Sequence, residues 1–237
     1  MDKLAVVVPI YNEQDAISNV IEKWCNELDK YNIDYTIFAY NDGSKDKTSE
    51  ILHSLEQKFP KLKCIDKENS GHGNTILTGY REASKDYDWI FQTDSDDEMG
   101  VEGFYVLWEK RADFDYLYCM RNNRVQPLAR KLISMVSRLT VKIFYGFKGV
   151  YDVNSPYRLM RVSVFKDLYH EIPDDTFAPN VIISGYIAKN KIKFFESNSN
   201  YTPRATGEVS IKKWKLLKAA IKSFWQTICF SFKRTKA

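Results

Sequence analysis

Short runs dominated by apolar residues alternate with segments of helical periodicity over the first hundred residues. The apolar runs lie at residues 4–9, 35–40, 62–65 and 88–94. Runs of this length are typical of strands that are buried on both faces of a sheet. Apolar side chains recur every three or four residues from Ala16 to Leu28 and from Ile51 to Phe59, which predicts two helices, and a third is expected to begin near Gly73. The order β-α-β-α-β-α-β predicts an α/β fold with a mostly parallel sheet flanked by helices.

A polar or acidic segment follows each predicted strand. In chain order these segments read PIYNE, NDGSKD, NSGHGN and DSDDE. Ligands bind beyond the carboxyl ends of the strands in sheets of this class, so the four segments are expected to meet at one edge. The last of them, taken alone, would be read first as a solvated acidic turn.

Three of these segments carry candidate binding chemistry. Asp94 and Asp96 are separated by one residue, and two such carboxylates can address one hard divalent cation, Mg²⁺ or Mn²⁺, together with a phosphate ligand. Gly71 and Gly73 precede a predicted helix, where backbone N–H groups can approach an anion closely. Asp42 is a candidate acceptor for a nucleobase N–H, and the alternative for its segment is a turn that ends in a helix cap at Asp46.

The four segments resemble, in order and spacing, those of the family-two inverting glycosyltransferases of GT-A fold, in particular the branch similar to dolichyl-phosphate-mannose synthase. VVVPIYNE is similar to the opening strand and loop of that family, YNDGSKDKT to its VDDGSxDxT, and NSGHGN to its NxGxG, while FQTDSDDE stands in the DxD place. The resemblance covers about residues 4–100. It departs from the family pattern at Asn41, where the family usually has aspartate.

This resemblance implies a nucleotide diphosphate sugar, UDP- or GDP-linked, as the donor. The residues that would bind it are Pro9, Tyr11, Glu13, Asp42, Gly71 and Gly73. Asp94 and Asp96 would hold Mg²⁺ or Mn²⁺ and act in catalysis. Arg204, in a segment that resembles R-x-x-G-x-S, would bind the departing diphosphate, with Lys212 or Lys213 as weaker candidates. Glu13 could also simply complement the dipole of the following helix.

The acceptor is expected to be a phosphate. Residues 116–151 contain seven Lys or Arg and no acidic residue, and residues 119–144 begin as a strand and continue as a basic amphipathic helix. Arg130 and Ser134 lie four residues apart, on one helical face, and could clamp one phosphate. The resemblance implies that Arg121, Arg130 and Ser134 bind the phosphate of polyprenyl phosphate. A solvated cationic helix is the alternative.

A missing carboxylate points the same way. Relatives that glycosylate a hydroxyl usually place an Asp base before a late helix, and FAPNVII here has Asn180 instead. A phosphate oxygen is already anionic and needs no base. Asp174 and Asp175 lie nearby in sequence and leave open a transferase to a hydroxyl acceptor in cell-surface polysaccharide synthesis. A non-catalytic nucleotide-sugar-binding protein is the other alternative. Asp152 and Arg158 are candidates for the same edge or for a structural ion pair.

The domain organisation follows from these assignments. Residues 1–209 are expected to form one GT-A domain, with a nucleotide-binding half at 1–100 and an acceptor half at 101–209. Residues 210–237 have no acidic residue, and Trp and Phe recur there among lysines, which predicts a basic amphipathic helix on an anionic membrane surface. Docking of this helix on the domain's own core is the alternative.

Composition sets the expected location and partners. The net charge is +4, the four cysteines stand singly, and no stretch is apolar enough for a membrane span or a signal peptide. We therefore expect reduced thiols and a cytoplasmic protein, peripheral on the inner face of the membrane. The basic blocks fit no DNA- or RNA-reading motif, so no nucleic acid partner is expected. The sequence leaves open whether the chain forms a homo-oligomer.

Overall fold

A computed structural model describes residues 2–122, 128–200 and 213–233 of the chain. The strands within these ranges are β1 Lys3–Ile10, β2 Asp34–Asp42, β3 Leu62–Lys67, β4 Trp89–Gln92, β5 Tyr116–Asn122, β6 Arg158–Arg161 and β7 Phe194–Asn200. The helices are α1 Ile17–Lys30, α2 Thr48–Lys58, α3 His72–Ala83, α4 Phe104–Lys110, α5 Leu128–Phe144, α6 Val162–Glu171, α7 Pro179–Asn190 and α8 Lys213–Ser231.

All seven strands belong to one sheet, in the order β3-β2-β1-β4-β6-β5-β7. The first four strands are parallel, β6 is antiparallel to both β4 and β5, and β7 is parallel to β5. The prediction of a mostly parallel sheet flanked by helices is therefore confirmed. Residues 1–100 and 101–200 both contribute strands to this one sheet, and β4 ends at Gln92, so the acidic segment lies in the loop beyond it.

The core lies on both faces of the sheet, because alternate side chains of β1 are buried on opposite sides. Leu4, Val6 and Val8 pack with α1 and α4, whereas Ala5 and Val7 pack with α3, α6 and α7. An unbroken apolar run is what a strand covered on both faces requires. This packing fixes the ends of β1, β2 and β4, from which the polar loops extend.

The C-terminal helix α8 packs against α5 and α7. The hydroxyl of Tyr145, just past α5, donates to the carbonyl of Thr227 at 2.7 Å, and Lys189 of α7 donates to the carbonyl of Ser231 at 2.8 Å. The buried side chains of α8 include Ser223, Thr227, Phe230 and Ser231. The alternative, in which this helix docks on the domain's own core, is thus correct for the side of α8 that carries these buried residues. Of the helices described, none is long and apolar enough to cross a membrane.

Candidate functional site

The loop that follows β1 is fixed against the loop that follows β2. The backbone N–H of Asn12 donates to Ser44 Oγ at 2.9 Å, and the Oδ1 of Asn12 accepts from Lys45 N at 2.8 Å. The backbone N–H of Glu13 donates to Thr48 Oγ1 at 2.9 Å. Asn12 has φ of 54°, in the left-handed region that asparagine tolerates better than most residues. The two segments therefore form one rigid rim.

The predicted donor residues of the first loop differ in their exposure. Pro9 is buried in β1 opposite Tyr40 of β2, Tyr11 is half-buried, and Glu13 is buried. The backbone at Glu13 also begins the turn into α1, because its carbonyl accepts from the N–H groups of Ala16 and Ile17. The first loop thus presents Tyr11 and backbone, rather than several free side chains, to a ligand.

Asp42, at the end of β2, organises the third segment. It is only 4% exposed, and its carboxylate accepts hydrogen bonds from Lys67 Nζ at 2.5 Å, Ser70 N at 2.9 Å and Gly71 N at 2.9 Å. Burial raises the pKa of Asp42, but the hydrogen bonds from Lys67 and Ser70 outweigh it and hold this pKa below its usual value. Gly71 has φ of 87°, which favours glycine at this position. Asp42 therefore shapes the glycine loop directly.

The departure from the family pattern at Asn41 has a structural reason. Its Nδ2 donates to Asp66 Oδ1 at 2.6 Å, and its Oδ1 accepts from Ser44 N at 3.1 Å. An aspartate at this position would set two carboxylates at hydrogen-bond distance with no proton between them, which is costly. Asn41 therefore bridges Asp66 and the second loop, whereas an aspartate at this position would repel the carboxylate of Asp66.

The acidic segment after β4 lines a narrow pocket. Asp94, Asp96 and Glu98 line it together with Arg121 of β5. The Oδ1 atom of Asp94 is buried and accepts no hydrogen bond from any residue that the structure describes. A carboxylate oxygen that accepts no hydrogen bond, next to a second carboxylate, offers oxygen ligands that suit a hard divalent cation. These residues therefore fit Mg²⁺ or Mn²⁺.

The first turn of α3 connects this pocket with Asp42. Gly71 donates its N–H to Asp42, and the Nε2 of the next residue, His72, lies 4.0 Å from Asp94 Oδ1. The four polar segments therefore meet at one edge of the sheet, as the sequence predicted. The position of His72 beside Asp94 was not predicted, although His72 lies in the NSGHGN segment that marked this loop.

A cationic cleft opens beside the acidic pocket. It has a volume of about 400 Å³, and its lining includes Arg121, Lys131, Ser134, Arg138 and Asp152. Arg121 forms a bidentate ion pair with Asp152, with N–O distances of 3.0–3.2 Å. Arg121 lines both the cleft and the acidic pocket, so the two are adjacent.

The structure does not describe every predicted site residue. The side chain of Arg130 and all of Arg204 and Lys212 lie outside the described residues. Ser134 is exposed on α5 and lines the cleft. Sequence reasoning did not assign Lys131 and Arg138 to the site, although both belong to the acid-free segment that indicated an anionic ligand there.

Arg158 is not a rim residue, and that expectation is wrong. Its side chain is fully buried, and it donates to the carbonyls of Ser155 and Asn180. The proposed pair between Asp152 and Arg158 is also absent, because Asp152 pairs with Arg121. Buried Arg158 thus ties β6 to α7 beneath the site.

Asn180, in the place of a possible base, faces the interior. Its Oδ1 accepts from the hydroxyl of Tyr80 at 3.0 Å, and its Nδ2 donates to Gln92 Oε1 at 2.8 Å. The two nearby carboxylates are paired, Asp174 with Arg81 and Asp175 with Lys222 at 3.0 Å. An unpaired carboxylate is thus not found at either of these positions.

The profile of a known family, described as Glycosyl transferase family 2, matches residues 5–169. An undecaprenyl-phosphate 4-deoxy-4-formamido-L-arabinose transferase of Edwardsiella ictaluri is 26% identical over 218 residues. That match covers 90% of the chain but only 64% of the relative, so the chain spans less than two thirds of that protein's length.

Solved structures show the same fold at low sequence identity. Glucosyl-3-phosphoglycerate synthase of Mycobacterium tuberculosis, in complex with Mn²⁺, UDP-glucose and phosphoglyceric acid, aligns with a TM-score of 0.68 at 12% identity, over 99% of this chain and 81% of the other. A mannosyltransferase of Pyrobaculum calidifontis, in complex with GDP-mannose and Mn²⁺, aligns with a TM-score of 0.65 at 15% identity, over 98% and 65%. These similarities establish the GT-A fold.

Proposed function

Because the chain belongs to glycosyl transferase family 2, we propose that this glycosyltransferase moves a sugar from a nucleotide diphosphate sugar to polyprenyl phosphate, with inversion at the anomeric carbon. One observation carries the proposal. Arg121 lines both the pocket of Asp94 and Asp96 and the cationic cleft, so a donor diphosphate and an acceptor phosphate would meet at adjacent sites. The acceptor would be dolichyl or undecaprenyl phosphate, in keeping with the undecaprenyl-phosphate transferase to which the chain is similar.

The donor would lie along the rim formed by the first three loops. Tyr11 and the backbone around Pro9 and Glu13 would contact the nucleotide. Asp42 Oδ2 accepts one hydrogen bond, from Gly71, and a carboxylate oxygen can accept a second from a nucleobase N–H. Gly71 caps the N-terminus of α3 and Gly73 lies in its first turn, where a helix N-terminus favours negative charge. Both solved relatives hold a nucleotide sugar of UDP or GDP type.

The metal would be held by Asp94 and Asp96. Mg²⁺ or Mn²⁺ bound there would supply neutralisation of the diphosphate leaving group. The chain's own contribution is to place two carboxylates on a loop fixed by β4, with His72 beside Asp94. Arg204 stays a prediction for the diphosphate, since it lies outside the described residues.

The acceptor phosphate would enter the cationic cleft. Arg121, Lys131 and Arg138 bring positive charge to the cleft, and among the described residues that line it the one carboxylate, that of Asp152, is paired with Arg121. The predicted pair of Arg130 and Ser134 lies on α5, the helix along this cleft. A phosphate oxygen attacks without a base, which agrees with an inward-facing Asn180.

Attachment to a membrane would occur through apolar side chains on the outer side of α5 and α8, which we call the α5–α8 surface. Its exposed members are Leu132, Met135, Val136, Leu139, Ile143, Ile221, Phe224, Trp225 and Phe232. The rings of Phe144 and Phe232 lie 6.3 Å apart, so the two exposed stripes are continuous. Lysines and arginines, with no acidic residue, accompany both helices. An apolar surface with basic flanks fits the anionic inner face of a membrane.

The proposed reaction is tested by a screen of sugar nucleotides. Purified protein, Mn²⁺ or Mg²⁺, each UDP- or GDP-linked sugar and a short-chain polyprenyl phosphate are incubated, and products are identified by mass spectrometry. We expect one donor to give a lipid-linked sugar, and we expect chelation of the metal to abolish it. Transfer to saccharide hydroxyls with none to polyprenyl phosphate would replace this acceptor by the hydroxyl alternative. Binding of a donor without transfer to any acceptor would indicate a non-catalytic protein.

A further inference from the structure

The C-terminal helix α8 is connected to the donor side of the site by a loop. Residues 172–178, the α6–α7 loop, run between α8 and the first turn of α3. Gln226 of α8 accepts a hydrogen bond from Phe177 N at 2.9 Å and donates to the carbonyl of Asp175 at 3.0 Å. Its Nε2 also lies 3.1 Å from Asp175 Oδ2. One amide side chain therefore contacts the backbone of this loop twice, with a third contact to its carboxylate.

The opposite side of the loop packs on α3. A Cβ atom on Gly73 would lie 2.3 Å from the carbonyl oxygen of Thr176 and 2.5 Å from that of Phe177. Asn74 donates to the carbonyl of Asp174 at 3.1 Å. The backbone of the α6–α7 loop thus lies directly against Gly73, with no side chain between the two.

This first turn of α3 also holds the donor residues. Gly71 N donates to Asp42, and His72 faces Asp94. A shift of the α6–α7 loop would therefore move the turn that is bonded to Asp42 and that lies beside Asp94. Among the described residues, Gln226 lines neither the acidic pocket nor the cationic cleft, and it reaches the donor side of the site through the α6–α7 loop.

We propose that Gln226 is a positioning residue for the nucleotide: it fixes the α6–α7 loop against Gly73 and thereby holds the first turn of α3 in its donor-binding position. The inference rests on the proposed function, because it assumes that a nucleotide diphosphate binds at this turn. In this role α8 helps to hold the nucleotide-binding turn in place, in addition to contributing to the α5–α8 surface.

The test measures the affinity of UDP and of GDP, each with Mn²⁺, by titration calorimetry in the absence of lipid. Gln226→Ala is expected to raise the dissociation constant of the nucleotide about tenfold while the melting temperature stays within about 2 °C. Cys229→Ser, an exposed position one turn further along α8, is the matched control and should leave both quantities unchanged.

Two further variants, which exchange the amide and the carboxylate between positions 226 and 175, separate a positioning role from general damage to α8. Gln226→Glu would place a carboxylate next to that of Asp175 and should weaken nucleotide binding at least as much as Gln226→Ala. Adding Asp175→Asn supplies an amide donor to the new carboxylate and should return the affinity to within about threefold of the wild type.

The outcomes are distinct for the two proposals. A wild-type protein that binds neither nucleotide would refute the proposed function, and this inference with it. Wild-type binding with an unchanged dissociation constant in folded Gln226→Ala would overturn the positioning role alone. If Gln226→Ala does not fold, the two exchange variants decide. A nucleotide affinity that is lost in Gln226→Glu and is not restored by adding Asp175→Asn would overturn the role of Gln226.

Discussion

The backbone N–H of Gly71 donates to Asp42 Oδ2 at 2.9 Å, and this contact joins the end of β2 to the start of α3. The other carboxylate oxygen of Asp42 accepts from Lys67 and from Ser70 N. A buried carboxylate that accepts a hydrogen bond at each oxygen holds its neighbours in one arrangement, because each of these N–H groups would otherwise lose its partner. Asp42 therefore holds the glycine loop in its conformation before a nucleotide sugar binds.

Asp42→Asn should lower the free energy of unfolding at pH 7 by about 2–3 kcal/mol, since it leaves Lys67 without its charge partner. The folded-state pKa of Asp42 is lowered, so its stabilisation is present above the unfolded value of about 3.9 and is lost as pH falls through the folded pKa. The difference between wild type and variant should thus be constant from pH 7 to 5 and shrink below about pH 4. Denaturant unfolding across this range measures it.

Asp34→Asn is the control for this experiment, because Asp34 is exposed at the start of β2. It should change the free energy of unfolding by less than about 0.5 kcal/mol at any of these pH values. A wild type and an Asp42→Asn variant whose stabilities run parallel down to pH 3 would contradict the assignment of this charge to the loop.

The sequence predicted the first half of the fold well because its elements carry strong local signals. The run at 4–9 became β1, and the helical periodicity from Ala16 to Leu28 became most of α1. The polar loops followed from these strands, since the carboxyl ends of parallel strands share one edge. The sequence could therefore predict that Asp42 and the glycine loop lie at the same edge of the sheet, but it could not predict the hydrogen bonds between them.

The second half gave weaker signals for physical reasons. β6 has four residues with arginine at both ends, and only its antiparallel insertion between β4 and β5 buries it. Arginine is rarely buried, so nothing local indicated that Arg158 would lie in the core. Its partners, the carbonyls of Ser155 and Asn180, are brought to it by tertiary packing. The pairing of Asp152 with Arg121 across 31 residues has the same origin.

Asp96→Asn should lower the maximal rate of sugar transfer at least about 100-fold, because it removes one of the two carboxylates proposed to hold the metal. Initial rates are measured over a Mn²⁺ titration at saturating donor. The adjacent Asp97→Asn is the matched control. Asp97 pairs with partly exposed Lys23 outside the pocket, and its φ of 55° is one that asparagine accepts.

The control should keep its rate within about twofold of the wild type. Equal rates in Asp96→Asn and wild type at every Mn²⁺ concentration would remove Asp96 from the metal site and leave the DSDDE segment as the solvated acidic turn considered from the sequence.

Arg121→Lys should raise the Michaelis constant for polyprenyl phosphate about tenfold, with the Michaelis constant for the donor unchanged. A lysine keeps the charge but cannot hold Asp152 through two N–H groups and still offer further N–H groups of a planar guanidinium to a phosphate. Steady-state rates with each substrate varied in turn separate the two constants. Arg111→Lys makes the same change at the opposite edge of the sheet, where Arg111 pairs with Asp2, and should alter neither constant.

A donor constant that rises as much as the acceptor constant would show that Arg121 serves the diphosphate instead. The adjacency of the two pockets at this residue makes that a real alternative, and the comparison of the two constants decides between them.

Trp225→Glu and Ile143→Glu should each reduce binding to vesicles that contain about 30% anionic phospholipid by about tenfold or more. Both side chains belong to the α5–α8 surface, at 65% and 60% exposure, and burying such a side chain in a lipid interface contributes about 1.5–3 kcal/mol. Co-sedimentation with the vesicles measures the bound fraction. Raising the salt from 0.1 to 1 M should weaken wild-type binding, because it screens the lysines from the lipid head groups.

Val106→Glu provides the matched control, since Val106 is an apolar residue 42% exposed on α4, across the sheet from α5 and α8. It makes the same change in charge and should leave vesicle binding unaltered. Equal binding by the wild type, Trp225→Glu and Ile143→Glu would show that these two helices do not contact the membrane. The large exposed side chains of α5 and α8 would then need another partner, because a soluble protein rarely exposes so continuous an apolar stripe without one.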